Sequence, residues 1–365
     1  MKKTVHIIYP FSKIIDTNPW SIGNNIIRAL KKNFKIKTYL WTSIEKISPN
    51  IGDILIGHAN SNPYTIFRRS VGSTLWSKRI LLQPYNEDKH QISYLYDLIP
   101  KCDYFLTLCG EYWFDRIENS KFKKWKKKAI RIDLGINPLD YPLIKKKFNS
   151  KGKRKFLYIG NDYAYNNYAK NISFLEKLAN FYNSILFSTI GNKALKNINH
   201  YGWLNLTDTK NFNILRKYDF LIQTSKHDAN PSTILEAMSW GLIPVISKEC
   251  GYYNVSTFKY IEINSINRSI NTLKKLQNLT DNELIKLQKK NLSLIKKKYN
   301  WEIFRKKILN ICLRDKDEFN QIYYTKKEVD FFENAKKNSP NYYLKFNMII
   351  MIIKANISQM IKNLF

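Results

Sequence analysis

Asp228-Ala-Asn-Pro-Ser-Thr-Ile-Leu-Glu236, followed directly by Ala237-Met-Ser-Trp-Gly241, is the stretch whose reading decides the fold of this 365-residue chain. Asp228 reads as a loop residue, and Pro231 suits the start of a helix, where its fixed φ is pre-organised and its missing N–H is not needed. Ser232 and Thr233 then present backbone N–H groups with no partner inside the helix. These donors and the positive end of the helix dipole face the same way, which makes Asn230, Pro231, Ser232 and Thr233 a cradle for an anion such as phosphate. Glu236 lies about one turn further in, where its carboxylate can accept hydroxyl hydrogen bonds. A loop carboxylate, a phosphate-sized cradle and a second carboxylate suit a sugar nucleotide. Read without a ligand, the same residues are a helix start with a solvated Glu236.

The flanks favour the ligand reading. Residues 218–225 read as a strand running into the loop, and 242–247 as the strand after the helix. Strand, loop, helix and strand form a βαβ unit, whose ligands sit at the carboxyl ends of the strands. The segment resembles the nucleotide-binding motif of the GT-B retaining glycosyltransferases of family 4 (glycosyl transferases group 1), an acid-x7-Glu followed by Ala-x-x-x-Gly and Pro-Val. Here the first acid is Asp228 instead of Glu, and Pro244-Val245 completes the pattern. The resemblance implies an α/β fold of two Rossmann-like domains facing across a cleft.

Length and composition agree. A chain of this length is comfortable as two domains. At 44% hydrophobic and 14% aromatic residues it carries enough apolar side chain for packed cores. Cys102, Cys109, Cys250 and Cys312 show no metal spacing, so neither a disulfide framework nor a zinc site is expected, and a reducing, cytoplasmic setting fits best. The opening Met1-Lys-Lys-Thr-Val-His-Ile-Ile-Tyr-Pro10 breaks its apolar run too early for a signal peptide. No stretch reaches the ~20 apolar residues of a spanning helix. The net charge of +32 raises nucleic acid or an anionic membrane as a partner. Lys, Asn and Ile are abundant throughout, however, and no zinc-finger, RNP or helix-turn-helix signature is present, so nucleic acid is not expected.

Strands are expected at Thr4–Tyr9, 35–41, 53–57, 79–83, 104–108 and 129–133, with helical spacing at 25–32. This alternation argues for a mostly parallel sheet covered on both faces, one Rossmann-like domain over 1–140, which the resemblance implies is the N-terminal acceptor domain. Asp133-Leu-Gly-Ile-Asn-Pro-Leu-Asp-Tyr-Pro142 marks the boundary. The Lys-rich 141–155 reads as a solvated linker. The architecture restarts at Phe156 as a nucleotide-sugar domain over 156–315, and 316–365 forms a basic, apolar tail.

Four further stretches resemble the same family in the expected order. They are Phe156-Leu-Tyr-Ile-Gly160 with Lys170-Asn171, His200-Tyr-Gly-Trp203, Asp53-Ile-Leu-Ile-Gly-His58, and Asn300-Trp301-Glu302. The resemblance implies roles for single residues. Lys170 would hold the donor diphosphate as the glycosidic bond breaks, Asp228 would meet hydroxyls of the transferred sugar, and Glu236 would grip the ribose. Gly160 and Asn161 would line the donor, with Asn161 standing where the family usually has Arg; Arg154, Lys226 or Lys248 are the candidate substitutes. Gly23 would belong to a small-residue loop near the donor phosphates. His58 would act from the first domain, although a buried structural histidine is an equal reading. Where many relatives have a further His, this chain has Pro84 and Tyr85, so no general base is identified.

The resemblance further implies retention of anomeric configuration with no metal and no cofactor beyond the nucleotide-diphosphate sugar itself, and a glycan or lipid-linked glycan as acceptor. Surface polysaccharide or lipopolysaccharide assembly is the commonest setting of such enzymes. Two other classes stay open: a nucleotide-sugar epimerase of the same fold, and a non-catalytic binding protein. Lys121-Phe-Lys-Lys-Trp-Lys-Lys-Lys128 interleaves bases and aromatics, which suits either an anionic membrane surface, with Phe122 and Trp125 in the headgroup zone, or a solvated face. The apolar, basic 346–365 suits a membrane surface, packing onto the chain itself, or a homo-oligomer.

Overall fold

Thr4–Tyr9 (β1), Lys35–Leu40 (β2), Ile54–Gly57 (β3), Lys78–Gln83 (β4), Tyr104–Thr107 (β5) and Ala129–Arg131 (β6) form one sheet in the order β2-β1-β3-β4-β5-β6, every pair parallel. The structure is a computed structural model that describes residues 2–10, 21–161, 169–315 and 321–337. β1, β3, β4 and β5 are almost wholly buried, as strands covered on both faces must be. Ile22–Leu30 (α1), Ile66–Ser70 (α2), Lys89–Leu98 (α3) and Gly110–Glu118 (α4) connect them. Strand order reverses between β1 and β3. There the backbones approach so closely that a Cβ on Gly57 would stand 2.4 Å from the carbonyl oxygen of Ile8.

A second sheet runs β12-β11-β10-β7-β8-β9, again all parallel, from Phe156–Ile159 (β7), Phe187–Ile190 (β8), Asn199–His200 (β9), Phe220–Gln223 (β10), Ile243–Ser247 (β11) and Lys259–Ile261 (β12). Its helices are Ile172–Tyr182 (α5), Phe212–Leu215 (α6), Ser232–Trp240 (α7), Ile266–Gln277 (α8) and Asp281–Lys297 (α9). Side chains alternate along each strand. Leu157, Ile159, Leu221 and Ile246 enter one core with Leu235, Met238 and Trp240 of α7. Phe156, Tyr158, Phe220, Ile222 and Val245 enter the other with Leu175, Leu178 and Leu273. Phe156 stacks at 4.9 Å on Phe187 and at 5.1 Å on Phe220, which fixes the register of three neighbouring strands.

The chain divides into two compact units at Ile132/Asp133, a few residues before the expected boundary, with Cys109–Trp113 grouped in the second unit. Trp301–Leu313 (α10) is opened by Trp301-Glu302 as expected, but from Arg305 onward the chain belongs with the first unit. The C-terminal boundary therefore differs from the expected 315. Arg305 donates to the side chain of Asn25 at 3.0 Å, and Lys78 Nζ donates to the carbonyl of Cys312 at 2.6 Å, both within the first unit.

The expected solvated linker is solvated only in part, for two of its basic residues are buried. Lys145 and Asp219 pair at 3.0 Å with side chains 2% and 0% exposed. Asp219 also accepts from the backbone N–H of Asn149 and of Lys155 and from Asn149 Nδ2. Arg154 is fully buried against Asp281 at 2.7 Å and the carbonyl of Leu279. A charged segment can lie on the core when each charge finds partners of this kind, since it is the unpaired buried charge that is prohibitive.

The basic run is likewise not a membrane face with aromatic anchors. Phe122 and Trp125 are buried, and Trp125 and Phe332 of Lys326–Lys337 (α11) lie 6.0 Å apart, close to parallel. Trp125 Nε1 donates to Tyr324 Oη at 2.9 Å, Lys124 pairs with Glu328 at 2.6 Å, and Phe332 stacks on Tyr96 at 4.9 Å. Thr325 and Glu328 cap α11 reciprocally. Part of the expected tail, 321–337, thus packs onto its own chain. The stretch 346–365 lies outside the described residues. Among those described, no helix is long and apolar enough to cross a membrane.

Candidate functional site

In the second sheet strand order reverses between β7 and β10, so their carboxyl ends diverge and leave the crevice in which α/β folds bind ligands. Gly160 and Asn161 follow β7; Gly160 donates its N–H to Ile190 at 3.0 Å, and Asn161 is half-buried. Residues 224–228 follow β10 and grip the chain at 169–171. Thr224 Oγ1 donates toward the carbonyls of Lys170 and Asn171, and the N–H groups of Lys226 and His227 both reach the carbonyl of Ala169. That clamp carries Lys170 to Asp228. Their Nζ and Oδ2 stand 2.9 Å apart, with side chains 19% and 27% exposed.

The helix start is built as expected, one residue later. Pro231 is the N-cap of α7, at φ −63° and ψ 128°, and no side chain caps the helix. The N–H groups of Ser232 and Thr233 therefore head the helix without intrahelical partners. Gln223, absent from the sequence reading, fixes this end: its Nε2 donates to the carbonyl of Ile159 at 2.8 Å and to Thr233 Oγ1 at 3.3 Å. It ties β7, β10 and α7 together. Asn230, at φ 58°, donates its N–H to Cys250 at 2.9 Å, and its side-chain amide is buried without a partner. At the far end Gly241 adopts φ 94°, the left-handed cap for which glycine is suited, while Gln288 Nε2 donates to its carbonyl at 2.8 Å.

Glu236 is not solvated. It is 8% exposed, and burial pushes its carboxyl up to about 7, offset in part by a hydrogen bond with Ser232. The group therefore sits near the midpoint of its titration at neutral pH. Of the cationic candidates Arg154, Lys226 and Lys248, Arg154 is committed to Asp281, before the amino end of β7. Lys226 and Lys248 both follow strands of the second sheet at their carboxyl ends.

Gly23 and His58 belong to the first unit. Gly23 sits in the first turn of α1, behind the N-cap Ser21, so it is helical and not part of a loop. His58 follows β3 at the switch point of the first sheet. Its ring lies 5.0 Å from that of Trp41 and 5.8 Å from that of Tyr9, and its Nδ1 reaches the carbonyl of Leu82 at 3.2 Å. A carbonyl only accepts, so Nδ1 carries the proton in this bond and Nε2 keeps its lone pair. Burial lowers this imidazole to about 4. Tyr85 is buried against Phe105, Phe122 and Trp125. All four cysteines are buried, and none is in a disulfide. Among the described residues no group of His, Cys, Asp and Glu is arranged to hold a metal ion.

No family model matches the sequence. No curated protein matches it either. Solved structures do match the fold. One is the α,α-trehalose 6-phosphate synthase of Burkholderia multivorans, with a TM-score of 0.60 at 8% identity over 86% of this chain and 98% of that one. A second is the catalytic domain of starch synthase IV from Arabidopsis thaliana, bound to ADP and acarbose, at 0.56 and 9% over 85% and 99%. A third is a TarM variant of S. aureus in complex with fondaparinux, alpha-GlcNAc-glycerol and UDP, at 0.51 and 16% over 71% of this chain and 55% of that one. This chain thus spans little more than half the length of TarM. At such identities the likeness is one of fold: two parallel-sheet α/β units, as in GT-B glycosyltransferases.

Proposed function

We propose that this chain is a retaining glycosyltransferase of family 4 type, moving a sugar from a nucleotide-diphosphate donor to a glycan or lipid-linked glycan. The observation that carries the reading is the Lys170–Asp228 pair at the switch point of the second sheet, on the same loop that leads into the uncapped start of α7 and, one turn on, to Glu236. Lys170 and the N–H groups of Ser232 and Thr233 supply positive charge for a diphosphate. Asp228 supplies negative charge for the oxocarbenium-like sugar, and Glu236 an acceptor for ribose hydroxyls.

The transfer follows from these roles. The acceptor hydroxyl attacks the anomeric carbon from the leaving-group face as the bond between that carbon and the phosphate oxygen breaks. The hydroxyl proton passes to a donor phosphate oxygen, and the nucleoside diphosphate leaves with it. Configuration is retained, and no protein side chain takes the sugar. His58, neutral and at the carboxyl edge of the first sheet, is assigned to accept a hydrogen bond from substrate through Nε2.

Assembly of a surface polysaccharide or lipopolysaccharide at the cytoplasmic membrane face is the setting we assign. Any membrane contact through 121–128 would rest on its exposed lysines, since its aromatics are buried. The reading is tested by incubating the purified protein with nucleotide sugars, with and without methyl hexosides as acceptors. Nucleoside diphosphate released together with a glycosylated acceptor of retained configuration supports it. Donor interconverted without acceptor would assign an epimerase, and intact donor throughout would assign a binding protein.

A further inference from the structure

Five non-glycine residues among those described have positive φ: Asn171, Asn197, Asn230, Asn254 and Glu87. Asparagine tolerates this region because its short side chain bonds locally, whereas glutamate has no such compensation. Glu87, at φ 58°, is therefore a long acidic side chain held against the preference of its own backbone. It lies between β4 and α3, at the carboxyl edge of the first sheet, where ligands of α/β folds bind. The loop starts beside His58: Leu82 takes the His58 hydrogen bond, and Gln83 Oε1 accepts from the N–H of Ala59 at 3.3 Å. Tyr85, buried in the core, anchors it from below.

The carboxylate is only half used. Oε2 accepts from Arg116 Nη2 at 2.5 Å, while Oε1 is buried with no hydrogen-bond partner. Gln91, in the first turn of α3, also has a buried Oε1 without a partner. Two buried acceptors that lack donors cost stability, as does the left-handed backbone, and a fold does not need either. A ligand that supplies hydroxyl donors would satisfy both oxygens. A phosphate or carboxylate, having only acceptors, would not.

We infer that Glu87 binds hydroxyl groups of the acceptor substrate, a carbohydrate or polyol, with Arg116 fixing the carboxylate and Gln91 adding a second acceptor. The inference rests on the transfer reading above. It is tested by comparing wild type, Glu87→Asn and Glu87→Gln by melting temperature and by transfer to methyl hexosides. Asparagine accepts the left-handed backbone, so Glu87→Asn is expected to melt as high as wild type or about 2 °C higher. Both variants are expected to lose at least about ten-fold in transfer through a raised acceptor KM, while the melting shift induced by nucleotide is kept. A melting temperature several degrees lower in Glu87→Asn would show that the Arg116 pair merely holds the loop, and unchanged transfer would equally overturn the assignment. If no nucleotide shifts the wild-type protein, the transfer reading fails, and the melting comparison still decides whether Glu87 is held in strain.

Discussion

Lys170 Nζ and Asp228 Oδ2 stand 2.9 Å apart, fifty-eight residues apart in sequence, because residues 224–227 clamp the backbone of 169–171. Each side chain thereby holds the other in place. A donor diphosphate would compete with Asp228 for the ammonium, and the two variants should therefore differ in sign. Lys170→Ala is expected to weaken nucleoside diphosphate binding about ten-fold, the loss of one charge-assisted contact. Asp228→Asn is expected to bind nucleoside diphosphate at least as tightly as wild type while transfer falls about a hundred-fold. Calorimetric titration beside a turnover assay reads both; equal weakening by the two variants would contradict this division of roles.

Glu236 gives a pH dependence with a definite sign. Its carboxyl is raised from 4.5 to about 7 by burial, so between those values the unfolded chain has released a proton that the folded chain keeps. Stability therefore falls as pH rises through that window, by up to about 3 kcal/mol from this group. Glu236→Gln is expected to flatten that part of the profile in denaturant titrations from pH 4 to 8. Nucleotide binding should move the other way. Ribose hydroxyls favour the ionised carboxylate, so affinity should rise from pH 6 to 8 in wild type but not in Glu236→Gln.

Asp219 should matter for folding and not for the site itself. It accepts from Lys145, from Asn149 twice and from Lys155 at the amino end of β10, with Lys145 and Asp219 themselves buried. Asp219→Ala leaves Lys145 buried without its counter-charge, and a loss of about 3–5 kcal/mol is expected in denaturant unfolding. A loss below 1 kcal/mol would mean that the segment from 145 to 155 is not held as described.

The packing of α11 can be read optically. Truncation after residue 324 removes Phe332 from Trp125 and Tyr96 and exposes an indole that is 0% exposed in the full chain. A red shift of tryptophan emission is expected, together with a loss of thermal stability. Emission unchanged by truncation would show that the helix does not cover Trp125.

These features differ in how far the sequence discloses them. β1 is a short apolar run, and the helix after Asp228 has a Pro start and a Gly stop, so their bounds are legible to within a residue or two. The residues of the candidate donor site are legible for the same reason: an acid, a helix start and a second acid lie on one continuous stretch. The linker is not, because a Lys-rich run reads as solvated until Asp219, far along the chain, is seen to accept from it. The burial of Glu236 depends on cores that no local pattern shows. Glu87 carries no motif at all, since its signal is a backbone angle and an unpaired oxygen, and both exist only once β4 and α4 are folded together. Gly23 fails for the opposite reason: a lone glycine suggests a loop, and the capping bond from Asn24 to Ser21 starts the helix ahead of it.

The most direct test of the account is a thermal-shift screen of the purified protein against UDP, GDP, ADP, CMP and their sugars, run beside Glu236→Ala and Lys170→Ala. A ligand that binds only the folded state at about a hundred times its Kd stabilises it by about 2.7 kcal/mol, a rise of several degrees. The account predicts such a rise for one nucleoside diphosphate and its sugar, reduced or lost in both variants. Absence of any shift in the wild-type protein, or a shift that both variants keep in full, would contradict a donor site built on Lys170, Asp228 and Glu236.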